Sequence, residues 1–194
     1  MQSADTIIGA NLDPGERLLW SGQPRGGIRL RGQDAFLIPF SILWGGFAIF
    51  WEYTASTFAA KGHGPATTIF PLFGLPFVAV GLYMIFGRFI VDSQARARTF
   101  YGITNGRIII VSGFFSPQTK SLQLRTLTDV SLTQRSDGSG TITFGATFPM
   151  GRFFPGGSWP GAGRYAAPSF DLIDRAKEVY DVIRSAQKAA SADS

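Results

Sequence analysis

The sequence predicts a helical hairpin embedded in a membrane and joined to a small α+β domain with an antiparallel sheet. Two long apolar runs, 35–51 and 69–86, contain no charged residue. Short alternating segments separated by tight-turn signals follow from residue 98 onward, as in an antiparallel sheet. Apolar residues near the C-terminus recur at helical spacing, which favours one final amphipathic helix.

Each apolar run is long enough to cross a bilayer. At about 1.5 Å rise per residue, either run nearly covers a hydrocarbon core of roughly 30 Å. The Leu, Ile and Phe residues of the first run together favour insertion by about 3 to 5 kcal/mol, opposed by Pro39, Gly45 and Gly46. Core helices of a soluble domain are the alternative, but such helices usually carry a polar stripe, and these runs are apolar on every face. The sequence therefore predicts a two-span transmembrane hairpin over 35–91.

The ends of the predicted spans carry residues suited to the membrane interface. Trp51 and Tyr53 end the first span, and Tyr83 lies near the end of the second, where amphipathic rings favour the headgroup level. Glu52 is expected at the same boundary, because a carboxylate within the hydrocarbon core would be costly. Pro71 is expected in the first turn of the second span, where its missing N–H is harmless.

Glycines give the two spans a candidate packing face. Gly74 and Gly81 are seven residues apart and share one face of a helix, so they are candidates to pack against Gly45 and Gly46 of the first span. The alternative is that these glycines only reflect the general use of Gly in membrane spans. Pro76 lies inside the second span and predicts a kink there.

Basic residues predict how the hairpin is oriented. Arginines precede the first span and follow the second, whereas the connecting loop at 54–68 has only Lys61 and His63. The positive-inside rule therefore places both termini in the cytoplasm. The same arginines would attract anionic lipid at the inner leaflet, by about 1 kcal/mol each. The predicted residues of the membrane interface and of anionic-lipid contact are Arg25, Arg29, Arg31, Arg88, Arg96 and Arg98, together with Trp51, Tyr53 and Tyr83.

Composition excludes several classes of function. The chain has no cysteine, which excludes disulfides, Cys-ligated metals and Cys nucleophiles. The net charge of +5 is concentrated near the predicted membrane boundaries, and no basic helix or RNP-type motif is present, so no nucleic acid partner is expected. The only histidine is in the predicted outer loop, and the sequence has no P-loop, nucleophile elbow, HExxH or paired-acid motif. We therefore predict no enzyme, with no catalytic residue, cofactor or metal site.

Tight-turn signals predict how the sheet is formed. Asn105-Gly106 separates the strand-like residues 98–104 and 107–112, and this dipeptide favours a type I′ turn with positive φ at both positions. The other alternating segments are 120–124, 127–133 and 141–148, the last of which follows a turn at 137–140. Residues 16–21 are a further candidate strand, which must pair with this sheet because so short a strand is not stable alone.

The two ends of the chain and one loop complete the domain. Residues 1–10 are polar and are expected to be loose. Pro168 is expected to introduce the last helix, with Asp171 as its N-cap. The apolar stripe of this helix, expected to pack on the sheet, comprises Leu172, Ile173, Ala176, Val179, Tyr180 and Ile183. The Gly/Pro-rich loop 150–163 carries aromatic rings that either dip into the membrane or fold back onto the sheet.

Two motifs and their order resemble those of a known family. Residues 14–24 have the pattern PGE-x-x-L-W-x-G-x-P, and residues 98–109 have R-x-x-Y-x-I-T-N-x-R-x-I, on either side of the spans. With the later strands and the last helix, the chain resembles the bacterial membrane-anchored PH-like domain proteins. The resemblance implies a PH-like fold, a strongly bent antiparallel sheet or partly open barrel capped by the C-terminal helix. It also implies a cytoplasmic domain beside the bacterial cytoplasmic (inner) membrane, and no catalytic residues.

The resemblance does not imply phosphoinositide recognition. Eukaryotic PH domains that bind these lipids use a long first hairpin loop with several Lys and Arg residues. The turn compared with that loop is Asn105-Gly106, with Arg107 as the one nearby cation, and one Arg cannot form a multidentate phosphate cage. Arg107 is therefore expected to be a solvated residue at a strand end.

These inferences give a domain organisation and two functions. The predicted parts are an N-terminal cytoplasmic segment with a short strand (1–34), the hairpin (35–91), a cytoplasmic PH-like domain (92–188) and a frayed tail (189–194). The leading hypothesis is a non-enzymatic, membrane-anchored interaction or scaffold protein, either an accessory or assembly partner of a membrane protein complex or a self-assembling module. Its expected partners are membrane lipids and a membrane protein or a second copy. The alternative is a peripheral domain that binds anionic lipid at the inner leaflet without inositide specificity.

Overall fold

The chain forms two compact units. The computed structural model describes residues 3–27, 30, 34–62, 65–113, 118–145 and 167–192. One unit, here called the hairpin unit, is Ile28–Asp92, and the other, here called the sheet unit, combines Met1–Gly27 with Ser93–Ser194. The Gly/Pro-rich loop at 150–163, predicted either to dip into the membrane or to fold back onto the sheet, lies outside the described residues.

The hairpin unit contains two long antiparallel helices that pack on each other. The helices are α2, Asp34–Lys61, and α3, Pro65–Leu82, which is followed by a π-helical turn at Tyr83–Gly87 and by α4, Arg88–Ala97. Only residues 62–64 separate α2 from α3, so the prediction of a connecting loop over 54–68 is wrong. Residues 54–61 contain no Gly or Pro, and the Thr54 and Thr57 hydroxyls donate to carbonyls within the helix, at 2.8 and 2.7 Å.

Two of the three prolines of the second helix are internal. Because α3 begins at Pro65, Pro71 lies inside the helix rather than in its first turn, as does Pro76. The prediction for Pro71 is therefore wrong. An internal proline leaves one carbonyl of the preceding turn without its usual amide donor.

The sheet unit is built from two antiparallel sheets and two further helices. The first sheet has the strand order β1-β2-β3-β4, and the second has the order β5-β6-β7. The strands are β1 Leu18–Gly22, β2 Phe100–Thr104, β3 Arg107–Ser112, β4 Gln118–Gln123, β5 Val130–Gln134, β6 Gly140–Phe144 and β7 Ser169–Ile173. The helices are α1 Ala4–Gly9 and α5 Ala176–Ala192, and a 3-10 turn at Leu124–Thr126 lies between the sheets. Within the described residues the two sheets do not close into a barrel, which confirms the predicted PH-like, partly open architecture with a C-terminal helix.

Strands β1 and β2 pair although the hairpin unit lies between them in the sequence. Trp20 is opposite Ile103 and Gly22 is opposite Tyr101, with an irregular register between Leu18 and Trp20. The end of β1 is therefore next to the start of β2. A helical hairpin can be inserted at this point without disturbing the strand ladder, because both ends of an antiparallel hairpin lie side by side.

The β2–β3 hairpin forms at Asn105-Gly106 as predicted, but the turn type differs. Neither residue has a positive φ, so the type I′ prediction is wrong. Thr104 Oγ1 accepts hydrogen bonds from the amides of Gly106 and Arg107, at 3.2 and 2.9 Å. Asn105 Oδ1 accepts another from the Arg17 amide at 2.9 Å. These side-chain bonds stabilise a turn that the dipeptide alone does not favour.

The N-terminal segment forms a short helix instead of the predicted loose chain. Ser3 caps α1, and its hydroxyl accepts a hydrogen bond from the Thr6 amide at 3.3 Å. Ile8 is fully buried, and a Cβ added to Gly102 would collide with its side chain, so α1 packs directly on β2. A six-residue helix is not stable in isolation, and this packing supplies what the local sequence cannot.

A strand occupies the position where the sequence predicts the start of the last helix. Residues 169–173 pair with β6, and Leu172, with φ of 48°, lies within the strand where the register is irregular. Arg175, which also has φ of 48°, lies between the end of β7 and the start of α5. Asp171 therefore does not cap α5, and its carboxylate instead accepts a hydrogen bond from the Thr141 hydroxyl at 2.9 Å. The apolar residues of β7 happen to continue the helical spacing of α5, which explains the error.

The hydrophobic core of the sheet unit contains a cluster of three aromatic rings. Phe170 is fully buried and stacks on Tyr101 with ring centroids 4.4 Å apart, while Phe144 meets it edge-on at 5.1 Å. Offset-stacked and edge-on pairs of this kind stabilise a core beyond the area that they bury. The predicted stripe of α5 contributes Ala176, Val179 and Ile183, all of them buried in the same cluster.

Candidate membrane-attachment site

The hairpin unit carries its large apolar side chains on the outside. Two helical stretches, Asp34–Lys61 and Pro71–Ala97, are candidate spans, and only 22% and 17% of the residues in their most apolar parts are buried. Phe36, Leu43 and Phe47 have exposed fractions of 73, 73 and 63%. The buried residues of α2 are the polar or small Asp34, Ser41, Gly45, Ala48 and Ala55. A core helix of a soluble domain would bury its phenylalanines, whereas both helices here are long and apolar enough to cross a membrane.

Two of the four predicted packing glycines face each other. A Cβ added to Gly81 would come within 2.9 Å of the Gly45 Cα, so the backbones of α2 and α3 approach closely there. Gly74 lies against the Glu52 carboxylate, and Gly46 faces open space. Close contact of helix backbones at small residues is typical of helix pairs in membranes.

A buried ion pair joins the two ends of the hairpin. Arg88 NH1 lies 2.9 Å from Asp34 Oδ1, and the exposed fractions of the two side chains are 9% and 7%. The Arg88 guanidinium also lies 4.4 Å from the centre of the Phe89 ring. Arg88, a predicted lipid-contact residue, is therefore engaged within the protein. The sequence contains a signal for this pair that the prediction missed. Asp34 directly precedes the first apolar run and Arg88 closely follows the second, and a hairpin brings these two ends together.

Glu52 lies within α2 rather than at its end. The helix continues nine residues further, to Lys61. The prediction that the first helix ends near Glu52 is therefore wrong. The Oε2 atom of Glu52 is buried against Gly74 and has no hydrogen-bond partner among the described residues. The neighbouring rings of Trp51 and Tyr53 are exposed, with exposed fractions of 44% and 69%. The third predicted interface ring, Tyr83, is half-buried in the π-helical turn.

Arg25 fastens the segment between β1 and α2 to the sheet unit. Its guanidinium forms ion pairs with the carboxylates of Asp137 and Asp174, and its amide donates to the Leu172 carbonyl at 2.9 Å. Asp137 lies in the turn between β5 and β6, and Asp174 directly follows β7. Arg25, predicted as a lipid-contact residue, therefore has two partners within the protein.

The pKa values of Asp137 and Arg25 both depart from their ordinary values. Hydrogen bonds from the Ser139 hydroxyl and amide are the main cause that lowers the pKa of Asp137 to about 2, and Arg25 adds to the shift. The hydrogen bond with Asp174 is the main cause that raises the pKa of Arg25 above its ordinary value. The Asp137 carboxylate is thus held ionised as a partner for Arg25 down to strongly acidic pH.

Arg96, near the end of α4, binds the segment that follows β1. Its guanidinium donates to the Gly27 carbonyl at 2.7 Å, and the residue is only 5% exposed. Arg98, two residues further on, is exposed. Among the predicted lipid-contact arginines, Arg25, Arg88 and Arg96 have the partners described above, and Arg98 is exposed but also interacts within the protein. Arg29 and Arg31 lie outside the described residues.

Glu16 and Arg107 lock the two sequence motifs together. The Nε and one terminal nitrogen of Arg107 lie 2.9 Å from the two carboxylate oxygens of Glu16, and the Thr104 hydroxyl donates to the same carboxylate at 2.7 Å. Arg107 also pairs with Asp13 at 2.9 Å. The prediction of a solvated Arg107 is therefore wrong, because the motif at 14–24 supplies a buried partner from across the hairpin insertion.

The surroundings of Glu16 lower its pKa. Burial acts in the opposite direction and is the largest single effect, but hydrogen bonds from Arg107, from the Asp13 amide and from Thr104 together outweigh it. The same carboxylate raises the pKa of Arg107. Glu16 and Arg107 therefore form a charged pair at neutral pH, and we call this pair the Glu16–Arg107 latch.

The strand order identifies where the hairpin is inserted in the fold. Since β1 precedes the hairpin and pairs with β2, the first strand connection of the sheet unit is 23–99, not the Asn105-Gly106 turn. In strand order, the connection that corresponds to the first hairpin loop of eukaryotic PH domains is therefore 23–99. The prediction that Asn105-Gly106 corresponds to that loop is wrong. In this chain the first connection contains the apolar helical hairpin.

These features define a class of protein, a PH-like fold of two antiparallel sheets with a C-terminal helix and an apolar helical hairpin in its first strand connection. The family model described as Bacterial PH domain matches residues 42–187, most of the chain, and the chain belongs to this family. The match begins inside α2 and continues through the hairpin to α5. No curated protein and no solved structure matches the chain.

PH-like domains are generally non-catalytic. Within the described parts of the chain, no three or more His, Asp or Glu side chains are grouped so that they could hold a metal ion. The carboxylates that do cluster have arginine partners, as Asp137, Asp174 and Glu16 show.

Proposed function

We propose that the chain is a non-enzymatic, membrane-anchored interaction or scaffold protein of the bacterial cytoplasmic membrane. Both termini lie in the cytoplasm, and the PH-like unit acts as an accessory or assembly partner of a membrane protein complex or binds a second copy. The observation that carries the proposal is the apolar hairpin, with its phenylalanines outward, inserted between β1 and β2.

The two fastened connections support an anchoring role for the hairpin. Arg25 fixes the chain that leads into α2, and Arg96 fixes it again through Gly27. Both contacts lie within the sheet unit, at the two points where the chain leaves it for the hairpin and returns from it.

The exposed surface of the hairpin supports protein contacts within the membrane. Beyond the Gly45–Gly81 contact, the outward face of α2 presents Phe36, Leu43 and Phe47. Lipid can cover this face, and so can apolar helices of another membrane protein, because both offer the same dispersion contacts. This surface is therefore our candidate for contact with a membrane protein or a second copy.

One substitution separates a membrane hairpin from a soluble helical pair. Phe47→Arg places a charge on the outward face near the middle of α2, which opposes insertion by about 3 kcal/mol or more. We expect the wild-type protein to remain in carbonate-washed membranes and Phe47→Arg to be depleted from them. Arg175→Gln, an exposed change in the sheet unit, is the matched control and should be retained. Wild-type release by carbonate, or full retention of Phe47→Arg, would overturn the membrane anchor.

A second experiment tests the interaction role. After extraction of the full chain in mild detergent, we expect a membrane protein or a second copy of the chain to copurify, as identified by mass spectrometry and by mass in solution. Elution as a lone monomer that carries only lipid would count against an interaction module.

Anionic-lipid binding is the second candidate function, and exposed Arg98 is the observation that favours it. Arg25, Arg88, Arg96 and Arg98 all interact within the protein, which reduces the charge available for headgroups, and for this reason we place this function second. It predicts enrichment of anionic over zwitterionic lipid with the purified chain and a loss of that enrichment in Arg98→Gln. Equal lipid composition in the two proteins would exclude it.

A further inference from the structure

We propose that a basic groove on the sheet unit binds an acidic segment of a partner protein. The groove lies between the 3-10 turn at Leu124–Thr126 and the C-terminal half of α5, and we call it the α5 groove. The proposal rests on the proposed function, since it names the class of partner, an extended peptide with acidic and apolar side chains.

The α5 groove is a shallow, open depression on the surface of the sheet unit. Its volume is about 490 Å³, and it is lined by Leu124, Arg125, Leu127, Arg184, Gln187, Lys188, Ser191 and Ala192. Leu124 is almost fully buried at 1% exposure and Leu127 is half-buried. Leu124 therefore belongs to the core beneath the groove, and Leu127 is the leucine that a ligand can touch beside the polar and charged walls. The groove suits a ligand that carries mainly charged side chains together with an apolar one.

The charges of the groove have one sign. Arg125, Arg184 and Lys188 line it, and none of the lining residues carries a carboxylate. Arg184 and Lys188 are not explained as charges that complement the dipole of α5, because that effect is confined to the last turn and the last turn of α5 has no basic residue. A ligand with carboxylates would complement the groove.

A hydrogen-bonded bridge holds the groove in shape. The Gln187 amide donates to the carbonyls of Leu124 and Leu127, at 3.5 and 3.1 Å, and so joins α5 to the 3-10 turn. The Gln187 carbonyl oxygen accepts a hydrogen bond from Arg184 at 3.2 Å, which orients the guanidinium. The other N–H groups of Arg184 have no partner among the described residues. A preoriented guanidinium can bind a carboxylate with two parallel hydrogen bonds.

The groove lies at one end of the sheet unit. The chain leaves for the hairpin after β1 and returns at the start of β2, whereas the Leu124 amide donates to the Gly106 carbonyl beyond the far end of β2. The N-terminus of α5 likewise lies beside Gly138, next to the Asp137 partner of Arg25. The groove is therefore at the end of the sheet unit opposite to both of its connections.

Peptide binding to the full chain tests the proposal. The chain is placed in nanodiscs of zwitterionic phosphatidylcholine, and the probe is a short fluorescein-labelled peptide of alternating Glu and Leu, followed by fluorescence anisotropy. We expect binding that weakens as salt is raised from about 0.05 to about 0.5 M. The triple variant Arg125→Gln, Arg184→Gln, Lys188→Gln should bind about ten-fold more weakly, as expected for the loss of three exposed charge pairs.

A second triple variant controls for charge alone. Arg135→Gln, Arg175→Gln, Lys177→Gln removes the same charge from the sheet unit outside the α5 groove and should change affinity less than two-fold. No peptide binding by the wild type, or equal losses in the two triple variants, would overturn the proposal.

Vesicles separate the peptide from a membrane ligand. If the nanodisc-embedded chain captures phosphatidylserine vesicles through the same three cations and ignores the peptide, the ligand is a lipid and the proposal is wrong. Failure here is distinguishable from failure of the membrane anchor, because carbonate retention and the Phe47→Arg comparison do not depend on the groove.

Discussion

Removal of the Arg107 side chain is expected to loosen the N-terminal segment from the β2–β3 hairpin. In Arg107→Gln the carboxylate of Glu16, only 9% exposed, would lose its bidentate partner and keep the Thr104 hydroxyl and the Asp13 amide. A carboxylate with so little access to water depends on its hydrogen bonds. The segment that carries β1 should therefore open more readily, while β5 to β7 should be less affected.

The expected magnitude follows from the geometry of the Glu16–Arg107 latch. Two charge-assisted hydrogen bonds of 2.9 Å are lost, and bonds to charged groups contribute about 1.5 to 3 kcal/mol each. Arg107 is 18% exposed, so water can replace part of what is lost. We therefore expect the free energy of opening to fall by about 2 to 3 kcal/mol, rather than by the full sum.

Hydrogen exchange of the full chain in detergent micelles measures this change. The Asn105 amide donates to the Arg17 carbonyl at 3.1 Å and so reports directly on the contact between the motifs. Lys177→Gln is the control, because its ion pair with Asp181 is exposed and contributes at most about 0.5 kcal/mol. An Arg107→Gln effect no larger than that of Lys177→Gln would refute the reasoning.

The pH dependence of the latch gives the same test a second readout. The pKa of Glu16 is lowered in the folded chain, so its stabilisation is present above its ordinary value near 4.5 and is lost as the pH falls below that value. The difference between wild type and Arg107→Gln should therefore shrink in acid. A difference that stays constant as Glu16 is protonated would show that the charge pair is not its source.

Three further predictions concern other parts of the chain. Gly81→Val should weaken the pairing of α2 and α3 by about 1 to 3 kcal/mol in an SDS titration, because its side chain meets the Gly45 backbone, while Gly46→Val, which faces open space, should not. Phe170→Ala should lower the free energy of unfolding of the sheet unit by about 3 to 5 kcal/mol in urea, because it leaves a cavity at the centre of the core. Asp137, with a pKa of about 2 against an ordinary 3.8, contributes stability that is lost as the pH falls through that interval, so Asp137→Asn should flatten this part of the acid-unfolding profile.

Local signals in the sequence predicted the elements whose stability is local. The predicted hairpin at Asn105-Gly106 forms between β2 and β3. The charge-free run at 35–51 lies in helix α2, whose large apolar side chains are exposed as a membrane span requires. The boundaries were less accurate. Helix α2 extends to Lys61 because nothing in residues 54–61 stops a helix, and polarity alone suggested a loop.

Elements that depend on distant partners could not be predicted in this way. Strand β7 is a strand because β6 pairs with it, and in isolation the apolar residues before α5 fit a helix equally well. Helix α1 exists because Ile8 packs on Gly102, more than ninety residues away in the sequence.

The charged residues of the candidate site show the same limitation. Arg25 and Arg107 each bind carboxylates far away in the sequence, and from the sequence alone each was a cation near a membrane or a strand end. The partners of Arg107 were visible only as separate motifs, on either side of the hairpin. The motif at 14–24 contains Glu16 and the motif at 98–109 contains Arg107. The presence of opposite charges in the two motifs was the one sequence feature that indicated this ion pair.

Labelling of introduced cysteines tests the central claim, a hairpin that crosses the membrane between two paired strands. The chain has no native cysteine, so Gly62→Cys, between α2 and α3, and Ser191→Cys, near the end of α5, each give a single reporter. In intact spheroplasts a membrane-impermeant maleimide should label Gly62→Cys, and it should label Ser191→Cys only after the membrane is permeabilised. Equal labelling of both sites before permeabilisation, or labelling of Ser191→Cys alone, would contradict the account.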